Sequence, residues 1–319
     1  MQVGIVGCGI CGAYLASKLS KEHEVLVFEQ KHKIGKLACS GLISEMIWQF
    51  IPENKKLVQN KISTAIVHFP KKTIKLKFYP EMLVINHKEL DQYVAGLAKK
   101  AGANILLDHK VEKVFLRDKP QLLVNKKTHE FDYLIGCDGP ISIVRRSLEL
   151  PEPSYRLGIL TYTNEKNYSD FVDVWPLKSG FSWKIPRGNC TEYGVLGNPA
   201  IAKQEFSRFC KKEKIKPKKI YSALVPEGLI TGKDRVALCG DAAGLTKPIS
   251  GGGVIWALTT VDLLVKNFPN IKKYNYKLER FFAPKLLFSR LATKMAIWAG
   301  NHLPLLLPAE IEIDSDLLF

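Results

Sequence analysis

The first thirty residues alternate between apolar runs and a glycine-rich turn. Residues 2–7 form a short apolar run that predicts a buried strand. Leu15 and Leu19 then lie one helical turn apart within a small-residue segment, which predicts a helix. Residues 25–28 form a second apolar run, which ends at Glu29. This order of elements predicts a compact strand–helix–strand unit.

Further along the chain the hydrophobic period changes repeatedly. Apolar side chains alternate with lysines between residues 62 and 84, as in a half-exposed strand. Residues 88–102 have the period of an amphipathic helix, and residues 155–197 are strand-rich and aromatic. A helix is predicted at 204–216, and a buried strand at 235–239. Residues 251–264 have apolar side chains at helical spacing, which predicts another helix.

These patterns predict an α/β fold with α+β insertions, in which a mixed-sheet domain that contains the strand–helix–strand unit is interrupted by a second, β-rich domain. The expected segments of the first domain are 1–61, 87–150 and 234–268. The expected β-sheet domain comprises 62–86 and 151–233, followed by a helical tail at 269–319.

The turn after the first predicted strand reads GCGICG, from Gly7 through Ile10 and Cys11 to Gly12. The first glycine permits a tight turn, Gly9 lets a pyrophosphate approach the backbone, and Gly12 lets the helix pack against the strand. The helix N-terminus then offers free N–H groups to the phosphates. Glu29 ends the second strand, where a carboxylate can accept hydrogen bonds from ribose hydroxyls. The unit therefore predicts a dinucleotide site, without separating FAD from NAD.

Two later segments repeat the pattern of a buried strand that ends in glycine and aspartate. Residues 131–146 contain Asp138 and Gly139, and residues 234–258 contain Asp241. In the second segment a loop leads to a helix that starts with glycines, at Gly252, Gly253 and Val254. A helix N-terminus beside a flavin stabilises the negative charge that reduction places on the ring.

Together the three segments resemble the FAD-binding motifs of the flavoprotein superfamily built on the p-hydroxybenzoate hydroxylase fold. The resemblance implies FAD as cofactor, with Asp241 at the ribityl chain and the glycine-started helix at the pyrimidine edge of the flavin. It also implies a backbone contact from Val111 to the adenine. Where the family usually has an arginine near FAD, this chain has His87.

Residues 181–188, FSWKIPRG, resemble a motif of geranylgeranyl reductases, chiefly the archaeal ones that saturate lipid chains. The resemblance implies that Phe181 and Trp183 line a substrate pocket. Residues 34–44 resemble the cysteine-containing loop of that family, which implies that Cys39, Ser40 and Gly41 lie near the flavin. Cys39 is then the candidate catalytic residue, as proton donor or gate.

The function implied is reduction of carbon–carbon double bonds in geranylgeranyl or other isoprenoid lipids, with NAD(P)H or a ferredoxin-like protein as electron donor. A flavin-dependent aromatic monooxygenase shares the same FAD motifs. A flavin- or prenyl-binding module without catalysis is a third possibility. The histidines have no metal-ligand spacing, and no serine lies in a nucleophile elbow, so neither a metal site nor hydrolase chemistry is expected.

Composition bears on location. Scattered cysteines, seven in all, suit a reducing compartment, and no signal peptide or 18-residue apolar run is present, so a cytoplasmic protein is expected. The net charge of +16 attracts polyanions. Since no nucleic-acid motif accompanies it, we expect an anionic membrane surface as the partner. The basic run at 211–219 and the apolar segment at 281–307 are the candidate contacts.

Overall fold

The computed structural model describes residues 1–36 and 38–315. The α-helices are α1 (Ile10–Leu19), α2 (His87–Lys100), α3 (Ile143–Ser147), α4 (Ala202–Lys212), α5 (Val254–Asn267) and α6 (Ile271–His302). The strands are β1 (Gln2–Val6), β2 (Glu24–Phe28), β3 (Leu42–Ser44), β4 (Val58–Phe69), β5 (Lys72–Ile85), β6 (Asn104–Leu106), β7 (Val111–Leu116), β8 (Pro120–Val124), β9 (Lys127–Glu130), β10 (Tyr133–Gly136), β11 (Ser154–Thr163), β12 (Phe171–Leu177), β13 (Gly180–Pro186), β14 (Thr191–Gly197), β15 (Ile220–Glu227), β16 (Val236–Leu238) and β17 (Glu310–Asp314).

Within the described residues the strands form three sheets, of five, nine and three strands. The first, called here the parallel sheet, has the order β16-β10-β1-β2-β6, and every neighbouring pair in it is parallel. Strands β1, β10 and β16 are short and almost wholly buried, as expected for a sheet covered on both faces. The chain order reverses on either side of β1, and such switch points are where open α/β sheets bind ligands.

Helix α1 follows β1 and packs against α2 and α5. Small residues on α1, among them Gly12, Ala13 and Ala16, allow this close approach because they are buried without long side chains. The helix therefore begins directly above the switch point of the parallel sheet.

The second sheet, called the large sheet, has the order β15-β11-β14-β13-β12-β4-β5-β17, with β3 paired to β5. One face is covered by α4, which packs on β11 and β14. Apolar side chains of β4, β5, β12 and β13 cluster with Trp183 on the opposite face. The third, small sheet is the antiparallel meander of β7, β8 and β9.

Helix α6 has 32 residues and covers both main sheets in turn. Its first half packs into the core of the parallel sheet through Tyr274, Leu278 and Phe282. Near its end, Gly300 lies against the ring of Phe69, which ends β4. The helix therefore spans the two parts of the molecule.

The architecture differs from the sequence expectation in three places. The expected mixed sheet is wholly parallel, because the antiparallel strands form the separate small sheet. The predicted helical tail at 269–319 ends in β17, which pairs with β5, and its residues 316–319 lie outside the described part. The predicted helix at 251–264 begins only at Val254, because Gly251 has a positive φ of 71° that helices do not adopt.

Candidate functional site

One cavity of about 1110 Å³ runs from the carboxyl ends of the parallel strands to the inner face of the large sheet. β1, β2, β10 and β16 all end at its edge, so the residues after each strand converge there. Residues predicted from the sequence line it at Gly7, Gly9, Ile10, Cys11, Glu29, Cys39, Ser40, His87, Val111, Asp138, Gly139, Phe181, Trp183, Asp241, Gly252, Gly253 and Val254. The cavity is at the upper end of the size range of ligand pockets.

The glycine turn has the geometry that the motif predicts. Gly7 has a φ of 95°, and a Cβ on it would lie 2.4 Å from the carbonyl oxygen of Cys137. A Cβ at Gly9 would meet nothing within 4 Å, so this backbone is open to the cavity. Gly12 does not line the cavity; its Cβ would lie 2.0 Å from the carbonyl of Gly7, so it serves the packing of α1 on the turn.

Glu29 is held in one orientation by the backbone. Its Oε2 accepts a hydrogen bond from the N–H of Cys8 at 2.9 Å, and its Oε1 accepts from the N–H of Lys31 at 3.0 Å. Each carboxylate oxygen has further lone pairs, so both bonds leave acceptor capacity on the cavity side. This arrangement suits two ribose hydroxyls.

Asp138 follows β10 and has one oxygen without a partner. Its Oδ2 accepts from the N–H of Val144 at 3.2 Å, whereas Oδ1 is buried and has no hydrogen-bond partner among the described residues. Burial raises the pKa of this carboxyl. Next to it, Gly139 has a φ of 81° and open space at its Cβ position. The free Oδ1 of Asp138, next to the open backbone at Gly139, can accept a hydrogen bond from a polar ligand such as FAD.

Asp241 follows β16, and its Oδ2 lies 3.6 Å from the Nζ of Lys36. Across from it, α5 begins at Val254 without a side-chain cap, so its first N–H groups and positive dipole end face the cavity. The N–H groups at the start of α5 could therefore donate hydrogen bonds to the anionic ring edge of a bound dinucleotide. The residues present fit FAD.

Half-buried Cys39 and buried His87 and Asp91 form an acid–base group in the wall of this cavity. The Nε2 of His87 lies 3.4 Å from the Oδ1 of Asp91, one turn along α2. Burial opposes the charged form of His87, but the Cys39 thiolate and Asp91 outweigh it and raise the pKa of His87 to about 10. Burial likewise opposes the thiolate, but His87 and then Lys36 lower the pKa of Cys39 to about 6.

At neutral pH this group is therefore a thiolate–imidazolium pair. The resemblance predicts Cys39 as proton donor or gate, and the lowered pKa of Cys39 together with the raised pKa of His87 favours a proton on His87. The Nδ1 of His87 is buried and has no hydrogen-bond partner within residues 1–36 and 38–315. His87, at the position where the resemblance predicts an arginine, is thus a titratable group of the site.

The segment 34–44 carries Cys39 to the cavity, although Leu37 within it lies outside the described residues. Gly41 was expected near the flavin but does not line the cavity. It has a φ of 64°, and a Cβ would lie 1.9 Å from the carbonyl oxygen of Ile85. Its role in the structure is to let the loop cross β5 closely.

The far part of the cavity is apolar. Phe181 and Trp183 face it from β13, with ring centres 5.8 Å apart. Trp183 is only 8% exposed and donates its indole N–H to the Oε1 of Glu192 at 2.8 Å. The wall is completed by Leu42, Ala65, Val67, Phe69, Ile74, Leu76, Phe78, Met82, Leu160, Val172, Val174, Ile185, Leu196, Ala296, Ile297 and Ile311.

Sequence reasoning missed several charged residues that line the cavity or lie behind its wall, among them Lys36, Asp91, Arg187 and Glu192. Asp91 follows His87 by four residues across the start of the helix predicted at 88–102, and that spacing was a usable signal. Arg187 stands inside the FSWKIPRG motif but was not singled out. Nothing in the sequence marks Glu192. In the described part of the chain, no cluster of histidine, cysteine or acidic side chains could hold a metal ion.

A parallel sheet with glycine turns and carboxyl side chains at its switch point, facing an uncapped helix N-terminus, is the arrangement of a dinucleotide-binding domain. The FAD binding domain family matches residues 1–205, and the chain belongs to this family. FAD is therefore its cofactor.

Relatives and solved structures agree with this class. The chain is 25% identical over 316 residues to digeranylgeranylglycerophospholipid reductase 1 of Methanosphaera stadtmanae, covering 88% of this chain and 78% of that one. It is 26% identical over 300 residues to protein CbrA of Escherichia coli K12, with 82% of each chain covered. The fold is similar to a geranylgeranyl bacteriochlorophyll reductase-like protein from Thermoplasma acidophilum, with a TM-score of 0.82 and 20% identity over 92% of this chain and 86% of that chain.

Proposed function

We propose that the protein is an FAD-dependent reductase that saturates carbon–carbon double bonds of geranylgeranyl or related isoprenoid lipid chains. The observation that carries the proposal is the continuity of one cavity: it begins at the dinucleotide turn and continues along the apolar face of the large sheet. A long apolar chain can lie there with one end beside the flavin. Relatives with reductase names support the same substrate class.

The residues of the cavity have distinct tasks in this reaction. When bound, FAD supplies the hydride chemistry. The N-terminus of α5 stabilises negative charge beside it. Phe181, Trp183 and the apolar wall hold the alkene and exclude water, which keeps the local dielectric low. His87 holds the proton that the second alkene carbon needs, and Cys39 and Asp91 keep it on the ring.

Analysis of the lipid product tests this proposal. The protein is photoreduced without oxygen and mixed with a geranylgeranyl lipid, and the lipid is analysed by mass spectrometry. Gain of two hydrogens per reduced bond is expected. An unchanged lipid contradicts the proposal, and an oxygen-dependent hydroxylated aromatic product would instead indicate a monooxygenase.

The substrate class also bears on where the protein works. No helix within residues 1–36 and 38–315 is long and apolar enough to cross a membrane. The second half of α6 nevertheless exposes large apolar side chains, at Leu287, Phe288, Leu291, Met295 and Trp298. Leu305 and Leu306, in the turn that follows, are 87% and 77% exposed.

Cations border this apolar face of α6, and the opposite face of the helix lines the cavity. Lys285, Arg290 and Lys294 lie beside the exposed apolar side chains along the helix, while Ala296 and Ile297 contribute to the cavity wall. We infer that this face docks on an anionic membrane surface, from which a lipid chain enters the cavity beside α6.

A further inference from the structure

A buried ion pair lies between the aromatic wall and the Cys39 loop. The Nη1 of Arg187 donates to the Oε2 of Glu192 at 2.8 Å, and the two side chains are 5% and 0% exposed. The other carboxylate oxygen of Glu192 accepts the indole N–H of Trp183. Both carboxylate oxygens of Glu192 therefore accept hydrogen bonds from residues around the site.

The remaining bonds of Arg187 reach three separate segments. Its Nη1 also donates to the carbonyl of Ser40, next to Cys39, and its Nη2 donates to the carbonyl of Ile85 at 3.0 Å. Its Nε donates to the side chain of Gln59 at 3.0 Å. Ile85 ends β5, two residues before His87. One guanidinium thus connects the loop that carries Cys39 to the strand end that leads to His87.

The contact between these two segments is close. The N–H of Ile85 donates to the carbonyl of Gly41 at 2.8 Å. A Cβ on Gly41 would lie 3.4 Å from the Nη2 of Arg187. The loop therefore rests on β5 with the guanidinium packed at its edge, and a change at Arg187 must alter the loop's position relative to His87.

A buried ion pair of this kind contributes little net stability to a fold, because apolar residues of the same volume often stabilise the protein equally well. Burial raises the pKa of Glu192 to about 7 in spite of Arg187. The negative charge of Cys39 contributes to the same rise. The pair and the Cys39 loop are therefore electrostatically connected as well as hydrogen-bonded.

We propose that Arg187, anchored by Glu192, is a positioning residue that fixes Cys39 relative to His87 and ties both to the substrate wall at Trp183. The inference rests on the proposed function, because it assigns a task within the same site. It concerns a residue that touches the loop backbone rather than the substrate.

The test is the titration of Cys39 in the FAD-loaded protein, followed by peptide-resolved alkylation with iodoacetamide over a range of pH. Besides Cys39, the groups that face this region are His87, Lys36, Asp91, Glu192, Arg187 and Tyr162. Arg187→Lys keeps the charge but cannot make the forked set of bonds. Glu192→Gln keeps the size but removes the anchoring charge.

Positioning and simple electrostatics predict opposite results. Loss of the Glu192 charge without any movement would make the Cys39 thiolate easier to form, and Arg187→Lys would leave it unchanged. If Arg187 positions the loop, both variants separate Cys39 from His87 and move the alkylation inflection to higher pH. A shift of one pKa unit slows alkylation at pH 6 about fivefold.

Arg145→Lys is the matched control. Arg145 is also fully buried and also donates to backbone carbonyls, those of Pro140 and Ala242, but it lies away from the Cys39 loop. The Arg145→Lys variant should have a lower melting temperature and an unchanged pH inflection for alkylation of Cys39. An unchanged or lowered inflection in Glu192→Gln would overturn the inference, even if Arg187→Lys fails to fold. Because alkylation needs no substrate, its outcome is independent of whether isoprenoid lipids are reduced.

Discussion

At the scale of single residues, the site depends on three carboxyl side chains and one thiol that come from separate segments of the chain. Glu29, Asp138 and Asp241 each follow a strand of the parallel sheet, so the fold brings them to one edge. The glycine spacing and the terminal acid predicted this from sequence, because the turn needs those residue types. The ionised state of Cys39 could not be predicted, since it depends on His87 and Lys36 from other segments.

Glu29→Ala should weaken FAD binding by about 1.5–3 kcal/mol, the worth of hydrogen bonds to a charged acceptor. Titration of the apoprotein with FAD, followed by flavin fluorescence, measures the change. Glu24→Ala is the control, because Glu24 begins the same strand but is exposed and lies outside the cavity wall. Equal affinities for the two variants would show that Glu29 is not the ribose ligand.

Cys39 should react with iodoacetamide with an inflection near pH 6 in the otherwise unchanged protein. A depressed pKa means that the thiolate persists above pH 6 and is lost as the pH falls through it. His87→Gln removes the main stabilising charge, so the inflection should rise to the ordinary thiol range of about 8.5 or higher. Cys190 is the internal reference, because burial raises the pKa of its thiol. If His87→Gln leaves the inflection in place, the ion pair is not the cause.

At the scale of secondary-structure elements, the large sheet determines the shape of the apolar wall. β13 and β14 pair antiparallel, with Trp183 opposite Gly194. The strand-rich, aromatic character of residues 155–197 predicted strands in this region. It could not show that the indole of Trp183 lies over a glycine of the next strand, because that depends on register between segments. The strand at 310–314 was missed for the same reason: its partner β5 is distant in sequence.

Gly194→Ala should destabilise the protein by about 1–3 kcal/mol through overpacking. A Cβ at this position would lie 2.2 Å from the Trp183 ring. The ring must move into the cavity, so lipid turnover should fall as well. Urea unfolding measures the first effect and steady-state reduction the second.

Gly158→Ala is the comparison, since a Cβ there would have its nearest contact at 3.6 Å, within the ordinary range. Gly158 lies on β11, which pairs with β14, so the two glycines share one sheet. Equal free energies of unfolding for the two alanine variants would mean that the Trp183–Gly194 contact does not constrain the wall.

At the scale of the whole molecule, α6 packs on the parallel sheet and on the large sheet that forms the apolar cavity wall, and it presents an apolar face bordered by cations. The protein should sediment with anionic vesicles at low salt and be released at high salt, since each basic residue near such a surface contributes roughly 1 kcal/mol. Leu291→Glu with Met295→Glu should abolish this binding without loss of FAD. Lys113→Glu, on the small sheet, serves as a charge control for general attraction. Sedimentation that is equal with neutral and anionic lipid would contradict the docking proposal.

The central claim is that the flavin site and the long apolar cavity form one active site. The absorbance spectrum of the flavin tests this claim most directly. The purified protein is photoreduced without oxygen, and a geranylgeranyl lipid is added while absorbance is recorded. We predict that the oxidised flavin spectrum returns on addition of the lipid, and that Trp183→Ala retains FAD but does not return it. A reduced flavin that stays reduced with the lipid and is reoxidised only when oxygen enters would contradict the account.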